Sequence, residues 1–252
     1  MSFELETAVN REGLRRVAID PVSRVEGHGK VTLLLDEAGH VKEARLHIVE
    51  FRGFEKFIQG RPYWEVPVMV QRLCGICPVS HHLAAAKALD PVVGALTLTP
   101  TAEKIRRLMH YGQILQSHAL HFFHLSSPDL LFGFESPVQQ RNIVGVAAAH
   151  PEVARQGVLL RKFGQEVIRI TAGKRVHGTG AVPGGVNKSL TAAERDELLA
   201  DADQMIAWSR DAVHLARRLH ESDRALYDEF GLFRSHLFSL VRADGAMDLY
   251  DG

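Results

Sequence analysis

Only two cysteines occur in 252 residues, Cys74 and Cys77. That scarcity excludes a disulfide-stapled secreted scaffold and a conventional four-cysteine iron-sulfur cluster held by this chain alone. Charge of one sign is also lacking. Thirty basic side chains balance thirty acidic ones, so the overall field points to neither nucleic acid nor an anionic membrane surface as partner. No apolar run approaches the roughly 20 residues a membrane-spanning helix needs, and Met1-Ser2-Phe3-Glu4-Leu5-Glu6 lacks a basic-then-apolar leader. A cytoplasmic protein without a membrane span is expected. Repeats and low-complexity segments are absent, while 46% hydrophobic residues suffice for a substantial core in one large or two small domains.

What is present is a concentrated motif. The two cysteines stand three apart in Cys74-Gly75-Ile76-Cys77, followed by Pro78-Val79-Ser80-His81-His82. Two thiols at this spacing can form a redox disulfide, present two thiolates to one metal, or sit inert in a core. A thioredoxin-like site would follow a strand, yet an amphipathic segment precedes the pair and a helix-forming run, Leu83 to Leu89, follows it. A structural zinc site would need about four ligands, and no second Cys-x-x-Cys or His-x3-5-His stands at zinc-finger spacing. A metal centre completed from elsewhere is therefore favoured, with redox work and inert thiols as alternatives.

The chain changes character along its length, and the pattern implies an α+β fold: a small N-terminal antiparallel sheet, approximately 15–50, followed by a mainly helical body, approximately 51–252. Val17-Ala18-Ile19 and Val31 to Leu35 read as strands. After a turn through Asp36-Glu37-Ala38-Gly39, Ala44, Leu46 and Ile48 alternate with Glu43, Arg45 and His47, which predicts a half-buried strand. Thr99-Pro100 predicts a capped helix start, with the helix running to about Leu125. Further helices are expected near 138–148, from Pro151 to about Ala172, and from Thr191 to about His220, the last opened by the capping box Thr191-Ala192-Ala193-Glu194. Between the last two lies a glycine-rich loop, Gly173 to Val186. It lacks the Gly-Lys-Ser/Thr of a phosphate loop and is either a structural turn or a backbone that must approach a buried centre closely. His110, His118, His121 and His124 crowd the long helix, where helix packing is the commoner role and metal binding the rarer one.

Four segments read together carry a resemblance. Asp20-Pro21-Val22-Ser23-Arg24-Val25-Glu26-Gly27-His28, then Phe51-Arg52-Gly53-Phe54-Glu55, then Arg72-Leu73-Cys74-Gly75-Ile76-Cys77, and then Pro183-Gly184-Gly185-Val186 resemble, in order, the N-terminal half of a nickel-iron hydrogenase large subunit. The wording from Glu50 to Phe57 and from Cys74 to Lys87 is most similar to the soluble, NAD-reducing bidirectional type. The resemblance implies that Cys74 is a terminal nickel ligand and Cys77 a thiolate bridging nickel and iron, the iron carrying diatomic ligands. It implies that Glu55, 19 residues before Cys74, holds a magnesium ion, and that Glu26 is the first proton acceptor. Arg24, His28 and Arg52 would be supporting residues, and His81 a histidine hydrogen-bonded beside the thiolates.

The implied chemistry is heterolytic H2 oxidation and proton reduction, the proton leaving through a cysteine thiolate and then Glu26. Electrons would pass through a small iron-sulfur subunit to a diaphorase carrying FMN, and so to NAD(P). Maturation proteins would be further partners. The family's second Cys-x-x-Cys has no counterpart after Cys77. Residues 1–252 are thus expected to be a single partial domain with the C-terminal half of the fold absent, and inactive in isolation. The alternatives are a noncatalytic scaffold of the same fold, which the intact Cys74 and Cys77 oppose, and a thiol-disulfide redox protein.

Overall fold

The computed structural model describes residues 13–23, 25–50 and 53–246; Arg24 and Arg52 lie outside the described residues. Two compact units meet in the chain at Gln59 and Gly60.

The first unit contains three antiparallel strands, β1 (Arg15–Ile19), β2 (Gly29–Leu35) and β3 (Val41–Ile48), in the order β1-β2-β3. Asp36 closes the β2–β3 turn, its carbonyl accepting from Gly39 N (3.0 Å) and its side chain from His40 N (2.8 Å). Register aligns Val17 with Leu33 and Ala44, and Ile19 with Val31 and Leu46, so these six side chains share one apolar face. The alternation expected of β3 is present, but its sense is reversed. Leu46 and Ile48 are 67% and 57% exposed, whereas Glu43, Arg45 and His47 are half-buried. The polar face is drawn together by the Arg45–Glu43 ion pair and by a His47 Nε2–Thr32 Oγ1 hydrogen bond of 3.1 Å. Among the described residues the apolar face lacks a comparable cover. The unit ends with α1 (Phe54–Ile58), which starts after Gly53 at φ 99°.

The second unit is helical. A short α2 (Val66–Val70) and a 3-10 turn (Gln71–Leu73) lead to the cysteines, and α3 (Pro78–Leu89) starts directly after them. Thr99 accepts a hydrogen bond from Ala102 N at 3.3 Å and caps α4 (Pro100–Leu120), with proline at the first helical position. The helix continues as a π turn over His121–Ser126 and as α5 (Ser127–Phe132). Next, α6 (Ile143–Ala149) starts later than the expected 138 because the Asn142 side chain accepts from Val144 N and Gly145 N, both at 3.0 Å, and fixes the first turn there. After α7 (Pro151–Ala172), β4 (Ala181–Val182) and β5 (Gly185–Val186) form a small hairpin. The expected capping box opens α8 (Ala192–Ser222), and α9 (Arg224–Glu229) follows. No helix among the described residues is long and apolar enough to cross a membrane.

Helices α4 and α7 form the centre of this unit. They pack so closely that a Cβ on Gly164 would stand 2.7 Å from both Gln116 N and Gly112 O. Glycine there lets one helix backbone rest on the other. Met109, Ile168 and Ala172 join Val79, Leu83 and Ala86 of α3 in one apolar cluster, which fixes the helix that follows the cysteines against the α4–α7 pair.

Candidate metal centre

The structure brings Cys74, Cys77 and His81 together. Their donor atoms lie within 4.8 Å of one another, all three residues are half-buried, and no other group of three or more His, Cys, Asp or Glu among the described residues could hold a metal. The local sequence dictates this cluster. Cys74 ends the 3-10 turn in extended conformation, and Cys77 is the residue before Pro78 at the start of α3. Proline stops the preceding chain from continuing as helix and begins the next one. His81 then stands one turn along α3, where its Nε2 reaches Cys77 Sγ at 3.5 Å. Ile76 N donates to Cys74 Sγ at 3.4 Å. The start of α3 also favours negative charge on the Cys77 sulfur. The thiols are not joined in a disulfide.

Two clamps hold this turn from behind, and neither was singled out from the sequence. His82, fully buried, donates from Nδ1 to Pro67 O (2.8 Å) and accepts from Ala181 N at Nε2 (3.1 Å). The residue after His81 thereby ties α2 and β4 to α3. Burial holds the His82 imidazole below its usual range, consistent with a neutral ring carrying its proton on Nδ1. The second clamp is an ion pair between Asp90 and Arg106, the latter 1% exposed, with contacts of 2.7 and 2.9 Å. Arg106 also donates to Val182 O (2.7 Å) and Gly185 O (3.1 Å), and Asp90 accepts from Gly184 N (2.7 Å). The Pro183-Gly184-Gly185-Val186 motif is held by this pair. In the sequence the signal was a charged residue within the buried stripe of α4.

The glycine-rich loop does bring its backbone close to a buried region, and that region is protein core. A Cβ on Gly180 would lie 2.3 Å from Met109 Cε and 2.6 Å from Thr171 O. Arg72 donates to His177 Nδ1 at 3.3 Å, so the same loop touches the residue two before Cys74. The α4 histidines do not assemble into a metal group among the described residues; His118 donates to Ile114 O at 2.9 Å.

The remaining candidates belong to the first unit. Glu26 is exposed in the turn before β2, and Glu55 is exposed on α1. His28 is held to the end of β3 by Glu50, which accepts from His28 N at 2.8 Å and pairs with its Nδ1. That contact holds the Glu50 carboxyl below the usual carboxylate range.

A soft, sulfur-rich donor set matches that of nickel, iron and zinc proteins alike, so geometry alone leaves the metal open. Comparison with known proteins identifies the family. A HoxL-like family model matches residues 16–51 and the nickel-dependent hydrogenase model matches residues 52–132. The chain is 49% identical over 249 residues to the beta subunit of the NAD-reducing hydrogenase HoxS of Cupriavidus necator, a match covering 94% of this chain and 51% of that protein. This chain belongs to the nickel-dependent hydrogenase family. Hydrogenase relatives include the vhu-type F420-non-reducing hydrogenase of Methanocaldococcus jannaschii, one chain of which is 47% identical over 94% of this chain and 56% of its own length.

The crystal structure of an NAD+-reducing NiFe hydrogenase in the H2-reduced state superposes with a TM-score of 0.89 at 66% identity, covering 94% of this chain and 53% of that chain. The Ni-Fe-Se hydrogenase of D. vulgaris Hildenborough superposes at 0.70 and 28% identity, over 85% and 46%. The fold is that of the hydrogenase large subunit over its N-terminal portion. The chain spans about half the length of the hydrogenase relatives it matches.

Proposed function

We propose that this chain supplies the N-terminal part of the catalytic subunit of a nickel-iron hydrogenase of the NAD-reducing type. The observation that carries the reading is the convergence of Cys74, Cys77 and His81 in a chain of this family. Cys74 and Cys77 would hold the nickel-iron centre as thiolates, Cys77 as the shared ligand. When bound, that centre supplies the heterolytic splitting and formation of H2. With Cys77 as a thiolate, His81, whose Nε2 lies 3.5 Å from its sulfur, would donate to it and limit its basicity. Glu26, assigned by its Arg-Val-Glu-Gly-His motif, would take up the departing proton, with His28, Arg24 and Arg52 as supporting residues. Glu55 would give a hard oxygen to magnesium.

Electron transfer is assigned to partners. Two cysteines cannot hold a four-cysteine cluster within these 252 residues; the proposed route to NAD(P) runs through an iron-sulfur subunit, then through a flavin-bearing diaphorase, with maturation proteins inserting the metals. Further donors to the centre would come from outside these 252 residues. The thioredoxin-like alternative is disfavoured by the local chain path, because α2 and a 3-10 turn, rather than a strand, precede the Cys-x-x-Cys.

The test is production of the matured hydrogenase containing this chain, followed by nickel quantification and H2-dependent reduction of NAD and of an artificial dye. Nickel with both activities is the expected result. Dye reduction without NAD reduction would remove the NAD-reducing assignment, and a matured complex free of nickel would remove the function.

A further inference from the structure

The centre of the Cys-x-x-Cys turn is attached to a helix that bears no sulfur ligand. Gln113 and Gln116, on neighbouring turns of α4, are 3% and 5% exposed, and the Nε2 of each donates to the same acceptor, Ile76 O, at 3.2 Å. Two side-chain amides satisfy one carbonyl, and that carbonyl belongs to the peptide joining Ile76 to Cys77. Because a peptide is planar, fixing the direction of its C=O fixes the opposite direction of the Cys77 N–H and the Cα from which the Cys77 sulfur projects. The Ile76 N–H, at the other end of that residue, donates to Cys74 Sγ. One residue thus faces α4 with its carbonyl and Cys74 with its amide.

Burial makes this arrangement costly to break. A buried glutamine side chain without a partner is unfavourable, and both glutamines are buried where they meet the part-buried Ile76 carbonyl. The donors sit on α4 where Gly164 lets α7 rest on its backbone at Gln116, so the support is rigid. Gln113 and Gln116 also line, with Gly75, Arg161 and Gln165, a polar cavity of about 60 Å³ beside the turn.

We propose that Gln113 and Gln116 are positioning residues of the metal centre, holding the Cys-x-x-Cys turn in ligating geometry through the Ile76 carbonyl. The proposal rests on the hydrogenase reading given above. Neither residue touches a ligand-bearing atom of the centre; they act through the Ile76–Cys77 peptide. Redundancy sets the expected pattern. Either glutamine alone leaves Ile76 O with one protein donor, whereas removing both leaves the part-buried carbonyl with neither.

The matured hydrogenase containing this chain should be compared with its Q113L, Q116L and Q113L/Q116L forms, by melting temperature, nickel lost to a chelator over time, and the nickel EPR line positions. The double variant is expected to lose nickel about 10- to 100-fold faster, the range typical when groups supporting metal ligands are removed, with shifted EPR lines. Each single variant is expected to fold and to show a smaller shift of the same sense. Unshifted lines and unchanged nickel loss in a folded double variant would overturn the proposal. Should the double variant fail to fold, unshifted lines in both single variants would do so. Failure of the hydrogenase reading has a different signature, a wild-type complex without nickel. In that case amide hydrogen exchange at Ile76, whose N–H bonds Cys74 Sγ, still decides, since unchanged protection in both single variants and in the double variant rejects the clamp.

Discussion

At the scale of single residues, the buried polar side chains divide the work. Arg106 holds Asp90 and, with it, three backbone groups of the Pro-Gly-Gly-Val hairpin. Replacing it by methionine leaves the Asp90 carboxylate buried without its cation, and a loss of about 3–5 kcal/mol is expected, measurable by urea unfolding. His82 provides a pH signature. Burial lowers its folded pKa, so the unfolded chain binds the proton more readily. This contribution to stability is fully present above the unfolded value of about 6.5 and is lost as pH falls from there toward the folded pKa. Unfolding midpoints should fall on acidification through that window, and His82→Gln should flatten that part of the slope. A slope unchanged by the substitution would contradict the neutral, doubly bonded ring. Cys74 and Cys77 were legible from their spacing and His81 from the family resemblance; four residues along a helix put Cys77 and His81 on one side. Gln113, Gln116 and Arg106 were not, because their meaning depends on which helix face is covered. The histidines of α4 drew notice in the sequence, while the residues that hold the turn were the polar members of its buried stripe.

Elements obeyed local rules where those rules are strong. Thr99 with Pro100, and Thr191 with Glu194, fixed two helix starts as expected, and Thr191→Ala should lower stability by about 0.5–2 kcal/mol in thermal or urea unfolding. The Glu194 carboxyl, bonded first to Lys188 and then to Thr191, is pulled down to about 2, so the box persists through mildly acidic conditions. Packing geometry lay beyond local reading. Nothing in the periodicity of α4 and α7 announces that Gly112 and Gly164 meet. Gly164→Ala would set a methyl group 2.7–2.8 Å from the α4 backbone and the Gln116 Cβ, and about 1–3 kcal/mol of destabilisation is expected from such overpacking. A neutral effect would show that the two helices separate freely, which the Gln116 contact with Ile76 would not tolerate. The start of α6 moved for a similar reason, since Asn142 outcompeted the preceding residues as cap. In β3 the period was right and the covered face was not, because alternation marks two faces without saying what packs on either.

For the molecule as a whole, the exposed apolar surface is the main consequence of the fold. Leu46 and Ile48 on the sheet, and Leu237 and Phe238 near the end of the described chain at 92% and 99% exposure, are large apolar side chains left bare, and contiguous surface of that kind favours association. The chain by itself is expected to bind a hydrophobic dye and to self-associate as concentration rises in gel filtration. Leu46→Thr with Ile48→Thr should reduce both without lowering the melting temperature. The family was legible because four motifs occur in order, and the α+β order of sheet then helices because apolar alternation gives way to helix signals after about residue 51. The central proposal is narrower than the fold: the sulfurs of Cys74 and Cys77 are proposed as nickel ligands. Nickel-edge X-ray absorption on the matured hydrogenase containing this chain tests it most directly, with C74S and C77S alongside. The expected result is a nickel-sulfur shell in the wild type and loss of nickel, or of sulfur neighbours, in each variant. An unchanged sulfur shell in both variants would contradict it.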